Sequence, residues 1–420
     1  MEVHVEEISP AKRRLEITVP KEKVEDKINA IYERIRKKAK VKGFRPGKVP
    51  MAIIKSLYRE EVLQQALTNL IEQTYPEALK EAQIIPLKET DFKHEAISEG
   101  KAFKYTVVVE VTPEFTLPEY KGITVEVSPI EVTEEEVENE LKRLQEMHAE
   151  LKTIESKRPL QKGDYVILEF QGYLEGEPLK DFKATDYMVE LGGNELHKDI
   201  EKEVLGATVG EEKIVKLSYP NDIENKELAG KEIELRLLIK DAKEKILPNI
   251  DDEFVKSVGN YKNIKELKED LKKQLLEKKK RMRDEYIKNY ILNELTENTE
   301  IELPDALVEQ ELEDMIDRAI YFVSPEARRS INREKLKNDL RKTAERKVKA
   351  KLILGKIAKE ENIMAKDEEV QEEMKLMAEN MKVPLEKMQS PYVIDRIKAR
   401  IIGEKTLVFL KEHANIKEKV

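Results

Sequence analysis

The residues best suited to chemistry form a basic cluster near the start of the chain. Eight of the fifteen residues from Arg34 to Lys48 are Lys or Arg, and none of the fifteen is acidic. The whole chain carries 77 Lys and Arg residues against 86 Asp and Glu residues, which gives a formal net charge of −9. Because a general nucleic-acid coat would be basic throughout, this pattern indicates docking to one small anionic spot on a partner.

Eight residues of this cluster combine turn-forming, cationic and aromatic side chains: Gly43, Phe44, Arg45, Pro46, Gly47, Lys48, Val49 and Pro50. Gly43 and Gly47 allow the backbone to turn sharply at a loop tip. Arg45 can pair with a phosphate group as a fork, and Lys48 can pair with one as a point charge. Phe44 has no obvious core to join at such a tip, so it is a candidate anchor for an apolar pocket of the partner. The alternative is a basic surface loop in which Phe44 is buried.

Motifs for nucleotide, metal or covalent catalysis are absent from the sequence. It lacks G-x-G-x-x-G, G-x4-G-K-[ST], G-x-S-x-G and H-E-x-x-H. It contains no Cys, which excludes disulfides, thiolate metal sites and a Cys nucleophile. Its five His residues are scattered, and its acidic pairs are too numerous for one pair to be singled out. We therefore predict no cofactor and no metal site.

Length and composition predict several small domains. The 420 residues correspond to two to four domains of roughly 150 residues, and 40% apolar with 5% aromatic residues supply several small cores. No apolar run approaches the roughly 18 residues of a membrane span, and the N-terminus lacks a signal-peptide pattern. We expect a cytoplasmic protein without a membrane partner. A charged fraction of 39% without Cys is also typical of thermophiles.

The basic loop lies in a region, residues 1 to about 112, that we interpret as α+β. The alternation of Leu15, Ile17 and Val19 with polar neighbours predicts a strand, and Pro50 suits the first turn of a helix. The predicted order is a strand, three helices and a strand, over residues 15–19, 24–39, 50–57, 63–71 and 103–111.

Three further regions differ in composition. Residues 113–153 form a connector whose helix begins with a capping box at Thr133 and Glu136. Residues 154–243 are rich in Gly and in short β-forming runs, which predicts a small, mostly antiparallel β domain with one short helix. Residues 244–420 predict long, charged helices with narrow apolar faces, which build extended arms more readily than a globular core. The predicted fold class is therefore multidomain α+β with an all-helical C-terminal region.

Residues 43–50 resemble the G-F-R-x-G-K-x-P signature of the trigger factor family of bacterial ribosome-associated chaperones. All six fixed positions are present, and they lie between two predicted helices, as in the family. The resemblance implies docking beside the nascent-chain exit tunnel, through a tunnel protein and the phosphates of ribosomal RNA. The partners it implies are ribosomes and nascent or unfolded polypeptides, with no DNA, and a second copy of the chain in a homodimer away from the ribosome.

The order of the four regions is also similar to that of this family. By this resemblance, residues 1–112 are the ribosome-docking domain. Residues 113–153 and 244–420 form one discontinuous chaperone domain, whose two arms enclose a cradle for unfolded chains. Residues 154–243 are an insert similar to FKBP-type prolyl isomerases.

The insert departs from the FKBP pattern at the residues that hold proline. The pocket of that family is lined by aromatic side chains and includes an Ile-Pro-Gly-Phe/Trp-Glu segment, which here reads His197-Lys198-Asp199-Ile200-Glu201. Leu179, Ile223 and Leu235 stand at other positions where aromatics are common, whereas Phe170 and Tyr187 remain. Because a pocket with fewer aromatic walls holds proline poorly, we expect weak or absent isomerase activity. The alternative is that the alignment is displaced by a residue or two.

Methionines near the C-terminus are candidates for a client-binding surface. Met374, Met377 and Met381 follow one another at i, i+3 and i+7 on one helical face, and Met packs adaptably against varied partners. The alternative is that they pack this helix against its neighbours. Further candidates with the same alternative are Tyr286, Tyr290, Tyr321 and Phe322.

Three functions compete on the sequence. The first is a ribosome-docked chaperone that shields emerging chains, and the second is an active prolyl isomerase. The third is a coiled-coil scaffold with a basic nucleic-acid loop. The complete docking motif favours the first function over the third, and the altered pocket disfavours the second. We therefore predict a ribosome-associated chaperone with isomerase activity as an accessory.

Overall fold

The computed structural model describes residues 1–45, 47–155, 158–193, 195–219, 230–321, 323–324, 328 and 331–419. The chain forms two compact units. The first consists of Met1–Ser128 and Arg283–Val420, and the second consists of Pro129–Met282. The predicted fold class, multidomain α+β with an antiparallel sheet region and long C-terminal helices, is confirmed.

The strands and helices alternate along the first half of the chain, and helices dominate the second half. The strands are β1 Glu2–Ser9, β2 Lys12–Val19, β3 Lys88–His94, β4 Phe103–Glu110, β5 Thr124–Val127, β6 Glu150–Thr153, β7 Tyr165–Leu174, β8 Glu177–Glu190, β9 Glu212–Ser218, β10 Glu232–Ile246 and β11 Asn415–Glu418. The helices are α1 Lys21–Lys38, α2 Met51–Glu81, α3 Glu134–Met147, α4 Lys198–Val204, α5 Asp252–Val258, α6 Ile264–Glu297, α7 Asp305–Ile320, α8 Arg333–Glu360, α9 Asp367–Met381 and α10 Pro391–Glu412. A short 3-10 helix lies at Leu385–Met388.

The N-terminal sheet has the strand order β1-β2-β4-β3, and each neighbouring pair is antiparallel. Alternate residues of β2 and β4, such as Leu15, Ile17 and Tyr105, are buried in one core with α1 and α2. The hydroxyls of Thr74 and Tyr105 form a 2.7 Å hydrogen bond inside this core. The period-two pattern that predicted these two strands therefore reflects one buried face.

Two strands of this region were not predicted from the sequence. Strands β1 and β3 lie at the sheet edges with mostly exposed side chains, so neither has a continuous buried apolar face. The two helices predicted after Pro50 are both present within α2, where a kink at Tyr58 (φ −121°, ψ 16°) separates them.

Small apolar seams join the helices of the first unit. The C-terminal half of α6 packs against α8, α10 and β5 through residues that include Ile287, Ile353 and Leu410. Helices α7 and α8 share a second seam, and α9 and α10 share a third. Strand β11 pairs with β5 in parallel, so Asn415–Glu418 are fixed against the connector.

A buried carboxylate lies in the seam between α7 and α8. Glu311 is only 3% exposed. Lys347 Nζ and Arg318 Nη2 lie 3.7 Å and 3.4 Å from its Oε1 atom, and Lys351 pairs with its Oε2 atom. Because loss of the partners would leave a buried charge uncompensated, this pairing of helices depends on charge as well as on apolar contact.

The sheet of the second unit has the order β6-β10-β7-β8, with β9 paired to β10, and its pairs are antiparallel. Helix α4 packs on it through Val204, and Val166, Leu168 and Ile239 fill the core. The predicted antiparallel β domain with one short helix is thus present. The sheet also includes β6, Glu150–Thr153, which we had expected to belong to the connector. Helices α3 and α5 pack with the start of α6 in a separate core.

The carboxylate of Glu110 joins the N-terminal sheet to the start of α7. Glu110 is the last residue of β4 and is 1% exposed. Its Oε2 atom accepts a hydrogen bond of 2.7 Å from the backbone N–H of Ala306, and Lys12 Nζ lies 3.9 Å from its Oε1 atom. Nearby, Ser9 Oγ donates a 2.8 Å hydrogen bond to Glu302 Oε1. A carboxylate at a helix N-terminus satisfies a free N–H group and faces the positive end of the helix dipole.

We predict that Glu110→Ala destabilises the first unit, because it leaves the half-buried N–H of Ala306 without its acceptor. The expected loss is about 1–3 kcal/mol of unfolding free energy. Denaturant unfolding of the full chain measures it. Glu110→Gln keeps an acceptor oxygen, so its loss should be smaller; equal losses for both variants would show that the hydrogen bond to Ala306 contributes little.

Candidate functional site

The basic loop between α1 and α2 is shaped by two glycines and two consecutive turns. Gly43 (φ +93°) and Gly47 (φ +82°) adopt the left-handed conformation, in which a side chain would be strained. The N–H of Phe44 donates to the carbonyl of Val41 at 3.1 Å, and the N–H of Lys48 donates to that of Arg45 at 2.9 Å. The backbone thus reverses direction over a few residues, as the sequence predicted.

Both stems of the loop are fixed to the core of the N-terminal region. Ala39 is 7% exposed and Val49 is 2% exposed, and both belong to that core. The N–H of Gly47 also donates to the carbonyl of Arg36 in α1 at 3.2 Å. Pro50 ends the loop as the residue immediately before α2. Buried stems on either side hold the tip in one place without burying it.

The side chains at the tip point to solvent. Phe44 is 39% exposed, so the alternative of a buried Phe44 does not hold. Lys42, Arg45 and Lys48 are exposed, and within the described part of the chain no carboxylate lies within 4.0 Å of them. Pro46 lies outside the described residues. The loop therefore presents free cations around an accessible aromatic ring, a combination suited to phosphate groups and an apolar pocket.

Two of the predicted proline-pocket residues lie together. The rings of Phe170 on β7 and Tyr187 on β8 have centroids 5.9 Å apart at an interplanar angle of 80°, which is an edge-to-face contact. Phe170 is half-buried against the core of the β domain, whereas Tyr187 is 38% exposed.

The other predicted pocket residues are more dispersed. Leu235 is 1% exposed on β10, where it packs in the core and is not a pocket wall. Leu179 and Ile200 are half-buried at the margin of the same core. His197 is exposed and precedes α4, where its Nδ1 atom accepts a 3.4 Å hydrogen bond from the N–H of Asp199. Ile223 lies outside the described residues.

Two further aromatic residues of this domain were missed. Phe182 on β8 and Tyr219 just after β9 have ring centroids 6.3 Å apart at 78°, and the ring of His197 lies 6.4 Å from that of Tyr219. Burial raises the pKa of Tyr219. The FKBP pattern points only to positions that are aromatic in that family, and Phe182 and Tyr219 are not among the positions compared. The available signal was Gly172, because a glycine inside a strand marks the close approach of another group.

The predicted client residues do not form one surface. Met374 is 7% exposed and, with the half-buried Met377, packs α9 against α10, so these two fit the packing alternative. Met381 is 56% exposed. Tyr286 and Tyr290 are exposed on α6 with ring centroids 6.3 Å apart. Tyr321 is also exposed, and Phe322 lies outside the described residues.

None of the helices in the described ranges combines the length and apolar character that crossing a bilayer demands. The same residues bring no three His, Cys, Asp or Glu side chains together as metal ligands.

Comparison with known proteins covers almost the whole chain. Residues 1–144 match the family "Bacterial trigger factor protein (TF)", and residues 263–412 match "Bacterial trigger factor protein (TF) C-terminus". Residues 156–240 match "FKBP-type peptidyl-prolyl cis-trans isomerase". The trigger factor of Caldicellulosiruptor bescii is 34% identical over 99% of this chain and 97% of its own. The trigger factor of Halothermothrix orenii is 33% identical over 86% of each chain.

A solved structure has the same fold. It is described as "Promiscuous Substrate Recognition in Folding and Assembly Activities of the Trigger Factor Chaperone". It aligns with a TM-score of 0.56 and 23% identity over 98% of this chain and 99% of the other.

An α+β N-terminal region, an FKBP-type domain and a helical C-terminal region together define a molecular chaperone that carries a prolyl-isomerase-type domain. The chain belongs to the trigger factor family, which confirms the resemblance seen in the sequence. Membership of this family implies ribosomes and nascent chains as its partners.

We predict that Met374→Ala and Met381→Ala differ sharply in their effect on stability. Met374 fills a seam between α9 and α10, so its truncation should leave a cavity and cost about 2–4 kcal/mol. Met381 is exposed, so its truncation should change the unfolding free energy by less than about 0.5 kcal/mol. Denaturant unfolding of both variants tests this, and equal losses would place Met374 at the surface.

Proposed function

We propose that this chain docks on the ribosome through residues 43–50 and shields emerging polypeptides in its helical region. The observation that carries the proposal is the fixed loop with a free tip. Its stems are buried at Ala39 and Val49, whereas Phe44, Arg45 and Lys48 face solvent without an ionic partner in the described residues.

The chemistry of the tip supports two kinds of contact. Arg45 and Lys48 bind phosphates of ribosomal RNA, and binding breaks no ion pair within the described part of the chain. Phe44 inserts into an apolar pocket of a protein beside the exit tunnel. An aromatic ring that becomes fully buried in such a pocket contributes more binding energy than the exposed charges around it.

The remaining regions have separate roles in this proposal. Residues 1–112 dock, residues 154–243 are the FKBP-type domain, and residues 113–153 with 244–420 form the chaperone domain. The exposed side chains of Tyr286, Tyr290, Tyr321 and Met381 bind apolar segments of clients. The protein acts in the cytoplasm, and away from the ribosome it forms a homodimer.

Changing Phe44, Arg45 and Lys48 together to Ala should abolish ribosome binding and leave the fold intact, because none of the three side chains belongs to the core. Co-sedimentation with 70S ribosomes measures binding, and thermal unfolding measures the fold. Binding of the native chain should weaken steeply with salt, as the release of counterions from phosphates requires.

A matched control removes one exposed aromatic ring and two cations elsewhere in the same region. Phe92, Lys88 and Lys93 on edge strand β3 meet this requirement. Their triple change to Ala should leave co-sedimentation unchanged. If both triple variants sediment with ribosomes as the native chain does, the loop is not the docking site.

Prolyl isomerisation is a second, accessory function, favoured by the edge-to-face pair of Phe170 and Tyr187. We expect weak activity because Leu179 and Ile200 are aliphatic and Leu235 packs the core. Each lost aromatic contact removes about 1 kcal/mol of stabilisation, and about 1.4 kcal/mol is a tenfold change in rate.

We predict that a short proline peptide is isomerised at least about tenfold more slowly than by an FKBP with a complete aromatic pocket. Proline-limited refolding of a whole protein should be accelerated more, because client binding raises the local concentration of the X-Pro bond. Peptide acceleration equal to that of the complete FKBP would contradict the expectation of a weakened pocket.

A further inference from the structure

The face of β7 that carries the buried residues Val166 and Leu168 continues toward Phe170 and Gly172. Successive side chains of a strand point to opposite faces, so these four residues share one face, which we call the inner face. Phe170 is half-buried there, and Gly172 provides no side chain. The inner face therefore has an aromatic ring followed, about 7 Å further along the strand, by bare backbone.

Phe182 of β8 occupies the space above that bare backbone. A Cβ atom added at Gly172 would lie 2.8 Å from the Cβ atom of Phe182, closer than real Cβ atoms approach one another. The side chain of Phe182 therefore lies directly against β7 on the inner face, next to Phe170 along the strand. It is only half-buried against the core of the domain, so part of its ring remains accessible.

The ring of Tyr219 extends the aromatic surface beyond Phe182. Its ring meets that of Phe182 edge to face at 6.3 Å, and it is half-buried against the same core. The Tyr219 hydroxyl has no hydrogen-bond partner among the described residues. Its ring is thus partly withdrawn from water, whereas its polar atom remains free to bond to a ligand.

We propose that Phe170, Phe182 and Tyr219 form an aromatic ledge on which this domain holds the proline ring of an X-Pro peptide. The inference rests on the accessory isomerase activity proposed above. The rings of Phe182 and Tyr219, which meet edge to face, and the half-buried ring of Phe170 on the same face of β7 offer apolar surface to the pyrrolidine ring. The Tyr219 hydroxyl donates a hydrogen bond to a carbonyl oxygen of the bound peptide and thereby orients it. Phe182 and Tyr219 take over the role of the aromatic walls that Leu179 and Ile200 do not supply.

The test measures isomerisation of an Ala-Leu-Pro-Phe peptide by exchange NMR on the peptide signals, with the full-length chain as catalyst. The variants are Phe182→Ala, Tyr219→Ala and Tyr219→Phe. The matched control is Tyr173→Ala, because Tyr173 neighbours Gly172 on β7 but lies on the opposite face, where the guanidinium of Arg236 stacks 4.7 Å from its ring centroid. Thermal unfolding of each variant checks that the domain remains folded.

We expect Phe182→Ala and Tyr219→Ala each to lower kcat/KM roughly fivefold, the factor that corresponds to about 1 kcal/mol. Tyr219→Phe should raise KM and leave kcat nearly unchanged, because it removes only the orienting hydrogen bond. Tyr173→Ala should match the native chain. A Phe182→Ala variant that is as fast as the native chain, or faster, overturns the ledge; a faster one would show that Phe182 obstructs the site.

A second measurement separates failure of the ledge from failure of the isomerase activity. Saturation-transfer NMR reports whether the proline ring protons of the peptide contact the full chain. If the native chain does not accelerate exchange, the isomerase proposal fails, yet a signal on proline that Phe182→Ala and Tyr219→Ala reduce and Tyr173→Ala preserves still supports the ledge. An absent signal, or equal signals in all four proteins, overturns it.

Discussion

The binding surfaces of this chain depend on the burial of a few apolar residues in small, separate cores. With 39% charged and 5% aromatic residues, the chain cannot build one large core. It forms instead an N-terminal core under the first sheet, a core inside the β domain and narrow seams between helices. The basic loop shows what this arrangement provides. Two small buried residues, Ala39 and Val49, fix its ends, and between them the exposed side chains of Lys42, Phe44, Arg45 and Lys48 are left available to a partner.

Charge is used differently in the helices and in the loop. In the seam of α7 and α8, the buried carboxylate of Glu311 is compensated by Lys347, Lys351 and Arg318, so each of these cations already has an ionic partner within the chain. The cations at the loop tip have no such partners in the described residues. An anionic surface therefore gains the full attraction of the loop cations, whereas cations that already pair with carboxylates in the helices contribute less to it. In the docking that we propose, the local excess of unpaired charge, and not the net charge of −9, directs the loop to its partner.

The sequence predicted the elements whose side chains alternate between buried and exposed, and it missed those without such a pattern. Strands β2 and β4 and helix α1 each have one buried face, so their periodicity is visible. Strands β1 and β3 are exposed edges that backbone hydrogen bonds hold in place, and such bonds cannot be inferred from the residue types. The loop was predicted almost completely because turn, charge and aromatic residues follow one another directly. The aromatic pair of Phe182 and Tyr219 was not predicted, because its two rings meet across parts of the chain that are distant in sequence.

The composition of the β domain explains how residues of its proline site can change while the fold is kept. Its buried residues are aliphatic, such as Leu168, Leu217 and Leu235, whereas the aromatic rings of Phe170, Phe182 and Tyr219 pack only at the margin of this core. Because most of the folding energy comes from this core, the residues at its margin are free to change. The weakened proline site that we propose therefore costs the domain little stability. In a chaperone that already holds its client, even a weak site meets X-Pro bonds at high local concentration. Selection on this domain can therefore act on how it holds a chain more than on how fast it isomerises one.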